Sequence, residues 1–96
     1  MRYNFEWDPE KARANKRKHK VSFELASTVF RDPKAISVFD SEHGESEERW
    51  LTLGISATGA LLVVHHTYDQ LDDLMVRIRI ISSRKATKRE TKHYEE

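Results

Sequence analysis

Val76-Arg77-Ile78-Arg79-Ile80 is the stretch that most limits how this chain can fold. Apolar and charged residues alternate with a period of two, the period of a strand. Val76, Ile78 and Ile80 therefore fall on one face, and Arg77 and Arg79 on the other. Such a strand needs a sheet with one covered and one open face. Ser82 or Ser83 then reads as the N-cap of a helix over residues 84–94, since either hydroxyl can accept from an unpaired first-turn amide. Arginines on an open strand face that runs into a basic helix can hold a phosphate. The same pattern is also that of a half-exposed strand and a solvated helix, and spacing alone leaves both open.

The chain has 96 residues, enough for one small domain and too few for two, so residues 1–96 are taken as a single domain. Hydrophobic residues make up 38% and charged residues 34%, which is polar for a globular domain but not the composition of a disordered one. The net charge of +1 hides an uneven distribution. Positive charge gathers over residues 11–20 and 77–92, negative charge over 40–48 and 69–73, a pattern that suits a surface discriminating between partners. The absence of cysteine excludes disulfides and thiolate metal sites and fits a reducing cytoplasm. No apolar run approaches the ~20 residues of a membrane span. The opening residues lack the apolar core of a signal peptide, so a cytoplasmic location without membrane contact is expected.

Tyr3, Phe5 and Trp7 alternate with polar residues and predict an opening strand. Asp8 is a good N-cap and Pro9 suits the first helical position, so a helix is expected over residues 10–18. It is mostly charged, with Asn15 in its middle either solvated or bonded to nearby backbone. His19-Lys20 reads as a turn. Ser22 caps a second helix, with Val21 and Ala26 as a hydrophobic staple and Phe23, Ala26, Val29 and Phe30 on one stripe. Asp32-Pro33 ends it. Strands are expected over 35–39, 48–56, 61–68 and 74–81, with an acidic loop over 40–46. A tight turn at Ala57-Thr58-Gly59 uses the freedom of Gly59 to take a positive φ. Leu61 to Val64 is apolar on both faces, as in the central strand of a sheet. The order is β-α-α-β-β-β-β-α, and short connections predict antiparallel pairing. The expected class is α+β: one antiparallel sheet with two N-terminal helices and one C-terminal helix.

Several blocks together resemble one family. Phe5-Glu6-Trp7-Asp8-Pro9-Glu10-Lys11-Ala12 opens the series. Asn15, Lys18-His19, Val21-Ser22-Phe23-Glu24 and Ala26 follow, then Val29-Phe30 and Asp32-Pro33. Glu47-Glu48-Arg49-Trp50, Gly54, Ser56 and the run from Arg77 to Ser82 with Arg84-Lys85-Ala86-Thr87 complete it. In this order they are similar to the BrnT toxins. The resemblance covers nearly the whole chain. It implies a RelE-like ribonuclease toxin of a type II toxin–antitoxin module that cleaves RNA without a metal or other cofactor and so inhibits translation. It further implies neutralisation by a BrnA antitoxin with a ribbon-helix-helix domain, in a 2:2 complex that touches operator DNA only through the antitoxin and represses its own operon. Two positions depart from the family pattern. Ala60 follows the hairpin glycine where members often carry a basic residue, and Tyr68-Asp69 follows Thr67 where another basic residue is common. These departures fit an alternative: a non-catalytic module that binds antitoxin and keeps a degenerate ribonuclease site.

Metal-free RNA cleavage needs a base for the 2′-hydroxyl, an acid for the leaving 5′-oxygen and cations for the charge on phosphorus. On the strength of the resemblance, the catalytic candidates are Lys18, His19, Glu48, Arg49, Arg79 and Arg84. Arg77, Lys85, Lys88 and Tyr94 are the candidates for further RNA contact. Arg79 and Arg84 suit phosphate because a guanidinium stays charged and grips two oxygens; packing or pairing with acidic residues is their other use. His19 can serve as acid or base, or simply end a helix. Glu48 can be a base if its pKa is raised, or an ion-pair partner of Arg49 or Arg79. Lys18 can be an acid or bind backbone phosphate. Trp7, Trp50 and Tyr94 can stack on bases, with Tyr94 the one expected to be exposed. His65 and His66 point to opposite faces of a strand and cannot chelate one ion, so no metal site is expected.

Overall fold

The computed structural model describes residues 2–42 and 48–96. The chain forms β1 (Arg2–Glu6), α1 (Pro9–His19) and α2 (Phe23–Ser27), which tightens into a 3₁₀ turn (Thr28–Arg31). Then come β2 (Ile36–Phe39), β3 (Arg49–Ile55), β4 (Leu61–Thr67), the short β5 (Asp69–Gln70), β6 (Met75–Lys85) and α3 (Lys88–Glu95). Much of the expected acidic loop, residues 43–46, lies outside the described residues.

The sheet runs β1-β6-β4-β3-β2, with β5 also paired to β6. From β6 to β2 every pair is antiparallel, but β1 lies parallel to β6, with Glu6 beside Arg79. The α+β expectation holds, and the sheet is mixed rather than wholly antiparallel. Short connections could not foretell this, because β1 pairs with the strand farthest from it in sequence.

One face of the sheet is the core. Val76, Ile78 and Ile80 point there together with Leu62 and Val64, and meet Val21, Phe23, Ala26 and Val29 from the helical layer. Burying one such large apolar side chain contributes about 1.5–3 kcal/mol. The caps of the first two helices fall where the sequence places them. Asp8 accepts from the Glu10 amide, and Ser22 accepts from that of Leu25. Gly59 takes φ +86° in the expected turn. Gly54 is required for a different reason: a Cβ there would stand 2.8 Å from Val29 Cγ1 and 3.2 Å from Asp32 Oδ2, so its absence lets the 3₁₀ turn close on β3.

Asn15 is neither solvated nor idle. It is buried, donates to the carbonyls of Val21 and Ser83, and accepts from the Ser83 amide. β1 pairs only with the first half of β6, and Asn15 supplies strand-like bonds to the second half.

The largest departure lies at the end of β6. The strand does not stop at Ile81 but continues to Lys85, and the helix begins at Lys88 rather than Arg84. A bulge explains it. His65 pairs with Ser82 and His66 with Ile80, leaving Ile81 as an extra residue. The bulge reverses the parity of the residues after it. Ser83 turns into the core face and donates to the Val63 carbonyl, while Arg84 turns to the face of Arg77 and Arg79. Neither serine caps the helix. Thr87 does, in a reciprocal capping box with Glu90.

Candidate functional site: an arginine groove on the open sheet face

The face opposite the core divides into two parts. Over β2, β3 and the upper half of β4, Ile36, Val38, Leu51, Leu53 and Val63 form an apolar hollow of ≈ 230 Å³ bordered by Glu90 and His93 of α3. Two polar anchors hold α3 there. Arg84 makes a bidentate pair with Glu90, at 2.8 and 3.0 Å. The Tyr94 hydroxyl donating to Asp32 Oδ2 is the second, and the capping box of Thr87 and Glu90 fixes the start of the helix between them. The Arg84 guanidinium and the two Thr87 contacts hold the Glu90 carboxyl down to about 2. Asp32 is pulled upward by burial, but bonds from the Ile55 amide, the Tyr94 hydroxyl and the Lys34 amide outweigh this and lower it. Accepting the Tyr94 proton, Asp32 raises the phenol in turn. α3 is therefore docked on the sheet, and Tyr94 is a half-buried anchor rather than the exposed residue expected.

The second part is a groove of ≈ 890 Å³ over the lower half of β6. Arg77 and Arg79 form its floor. Glu6, Thr67, Asp69 and Glu48 line it, and Lys11 reaches it from the first turns of α1. Arg77 is tied to Asp69 at 2.8 Å, and both arginines stand 3.9 Å from Glu6 Oε1. Each arginine side chain keeps more than 40% of its surface in solvent. The Thr67 hydroxyl accepts from the Arg79 amide where the β4–β5 edge breaks its ladder, which fixes the backbone under that guanidinium.

The expected site residues thus separate. Arg77, Arg79 and Glu48 come together in the groove, and half-buried Arg49 pairs opposite Thr67 on the same face. Lys18 and His19 do not join them. They end α1 beyond Asn15, which is bonded to the far half of β6. Lys85 and Lys88 are exposed toward that same end. Arg84 is on the expected face but committed to Glu90. Lys11, Glu6 and Asp69 are additions. Alternation on β1 put Glu6 opposite the aromatics, but only the parallel pairing with β6 sets it over Arg79.

On the core face, His66 is buried, with Nδ1 at 2.8 Å from the Thr67 carbonyl and Nε2 at 2.6 Å from the Thr52 hydroxyl. Burial pulls its pKa down to about 4, so it stays neutral and structural near pH 7. Trp7 and Trp50 pack edge-on against Phe23 and Phe39. Among the described residues no group of three or more His, Asp or Glu is placed to hold a metal ion, and no helix is long and apolar enough to cross a membrane.

The family model of BrnT, the ribonuclease toxin of type II toxin–antitoxin systems, matches residues 7–90. The chain belongs to the BrnT family. The fold agrees: the crystal structure of the Brucella abortus ribonuclease toxin BrnT superposes with a TM-score of 0.63 over 92% of this chain and 100% of that one, at 17% identity. No curated protein matches the chain. Membership in a family of ribonuclease toxins implies an RNA substrate and an antitoxin partner. Of the two departures from the BrnT pattern, Ala60 is partly buried against the core, whereas Asp69 stands in the groove itself.

Proposed function

We propose that this BrnT-family chain is a metal-independent endoribonuclease that cleaves RNA at the Arg77–Arg79 groove and thereby inhibits translation. The observation that carries the proposal is the pair of half-exposed guanidiniums on an open sheet face, with carboxylates and Lys11 around them. Arg79 holds the scissile phosphate and stabilises the charge that develops on it. Glu48 takes the 2′-hydroxyl proton. The 2′-oxygen then bonds to phosphorus, the bond from phosphorus to the 5′-oxygen breaks, and Lys11 returns a proton to that oxygen. The products are a 2′,3′-cyclic phosphate and a 5′-hydroxyl end. Lys18, His19, Lys85 and Lys88, toward the other end of β6, contact RNA backbone away from the cut. A BrnA-type ribbon-helix-helix antitoxin neutralises the toxin in a cytoplasmic 2:2 complex, which represses its operon through the antitoxin's DNA contacts.

One observation favours a second reading. Asp69, in place of a basic residue, occupies Arg77 at 2.8 Å, as expected of a degenerate site kept for antitoxin binding and co-repression. Incubating the purified chain with RNA in EDTA separates the two. Cyclic-phosphate and 5′-hydroxyl ends support the ribonuclease. Intact RNA with folded protein, and no growth arrest on expression, supports the co-repressor.

A further inference from the structure

Behind the groove, on the core face of the sheet near the end of β4, is a second cavity that the cleavage chemistry leaves unused. It has a volume of ≈ 210 Å³ and is lined by Tyr3, Phe30, Ser37, Trp50, His66 and Tyr68. Four of these six side chains are phenyl, phenol or indole rings. Tyr3 and Tyr68 are 42% and 37% exposed, too open for residues that serve only as core. Phe30 stands edge-on to His66 at 4.8 Å and fixes the floor. The cavity and the arginine groove meet at Tyr68, which lines both. Tyr68 lies just past Thr67, the last residue of β4 that β3 pairs.

The polar part of the lining has a defined direction. The Thr67 carbonyl can only accept, so His66 Nδ1 carries the proton and Nε2 of the neutral ring accepts. The Thr52 hydroxyl must then donate to Nε2. Its oxygen, 2.8 Å from Ser37 Oγ, accepts the Ser37 proton. Ser37 has thereby spent its one donor within the protein and offers lone pairs to the cavity.

We infer that this cavity is a nucleobase subsite, taking a base with an exocyclic amino group from single-stranded RNA whose phosphate lies in the Arg77–Arg79 groove across Tyr68. The inference rests on the ribonuclease reading of that groove. An unpaired base splayed from the strand would stack on Tyr68 and Tyr3, as aromatic platforms take bases, while its amine donates to Ser37 Oγ. Purine riboside, the same ring system as adenosine without the amine, leaves the serine unanswered. An RNA strand fits better than a protein segment because the aromatic cavity shares the Tyr68 wall with the groove that holds the two half-exposed guanidiniums.

The test uses tetranucleotides of 2′-O-methyl adenosine and of 2′-O-methyl purine riboside, which lacks the amine, both of which bind without being cut, titrated into the ¹⁵N-labelled chain. The adenosine probe is expected to bind about fivefold more tightly, the worth of one hydrogen bond. It should shift the Tyr3, Ser37 and Tyr68 resonances as well as Arg77 and Arg79. Tyr68→Ala should weaken it about tenfold and Tyr68→Phe hardly at all. Ser37→Ala should remove the preference for adenosine while sparing binding of the purine riboside probe. If both probes bind, Arg79→Ala weakens them, and Tyr68→Ala and Ser37→Ala change nothing, the base subsite is refuted while the groove stands. If neither probe binds the folded chain, both readings fall together. If Tyr68→Ala weakens only the antitoxin complex, the cavity is a protein-docking surface and the inference is wrong.

Discussion

Arg79 and Arg84 lie on one strand, on one face of one sheet, yet their surroundings give them opposite uses. Arg84 meets Glu90 in a two-pronged pair, and that carboxylate is itself held by Thr87, so the guanidinium is consumed in tying α3 to the sheet. Arg79 meets Glu6 at 3.9 Å, and Glu6 is shared with Arg77. A charge answered at such a distance in solvent contributes little to stability and stays available to a ligand. A basic residue's role is therefore set by how completely another element answers it, and not by its place in a basic run. The two regions differ in construction for the same reason. The α3 end is closed by bidentate and capping contacts, and the groove is left open.

Breaking the α3 end should leave the groove intact, and the largest such effect is expected from Gly54→Ala. The added methyl would push Val29 and Asp32 away from β3, costing about 1–3 kcal/mol in chemical denaturation and loosening Tyr94 with its acceptor. Acid should act next. Glu90 sits at about 2 in the folded chain against 4.5 unfolded, so its contribution is complete above pH 4.5 and lost as pH falls toward 2. Asp32, also lowered, loses its contribution in the same direction. Allowing for solvent at a side chain 30% exposed, Glu90 should account for about 1–2 kcal/mol. Amide exchange should show α3 releasing while the β6–β4 ladder persists, and simultaneous loss of both would deny that the anchor is separate. Glu90→Gln at neutral pH should reproduce part of this, about 1 kcal/mol, by weakening the ion pair and the capping box. The smallest effect sharpens the groove side. Asp69→Asn should free Arg77 and raise RNA affinity about threefold, more at low salt, with no change in unfolding midpoint.

Much of the fold can be read from local chemistry. The caps at Asp8 and Ser22, the turn at Gly59 and the core parity of Val76, Ile78 and Ile80 each depend on a few adjacent residues. The features that escape such reading depend on contacts distant in sequence. The bulge at Ile81 leaves no composition signal, and without it Ser82-Ser83 before a basic run looks like a helix start. The parallel seat of β1 against β6 is likewise invisible, and with it the placement of Glu6 over Arg77 and Arg79. Arg79, Arg77 and Glu48 are legible as site candidates because they lie on regular strands or next to one. Arg84 and Tyr94 look like ligand contacts in the sequence because only the docking of α3 brings Glu90 to Arg84 and Tyr94 to Asp32.

The direct test of this division is to measure Arg79→Ala and Arg84→Ala side by side, each for thermal midpoint and for RNA cleavage per folded molecule in EDTA. Arg79→Ala should keep the wild-type midpoint and lose about 100-fold in cleavage, the scale of one lost transition-state contact. Arg84→Ala should lower the midpoint, by about 1–2 kcal/mol of stability, and change cleavage less than about threefold. The reverse pattern, with Arg84 needed for cleavage and Arg79 only for stability, would contradict the assignment of the groove as the catalytic face.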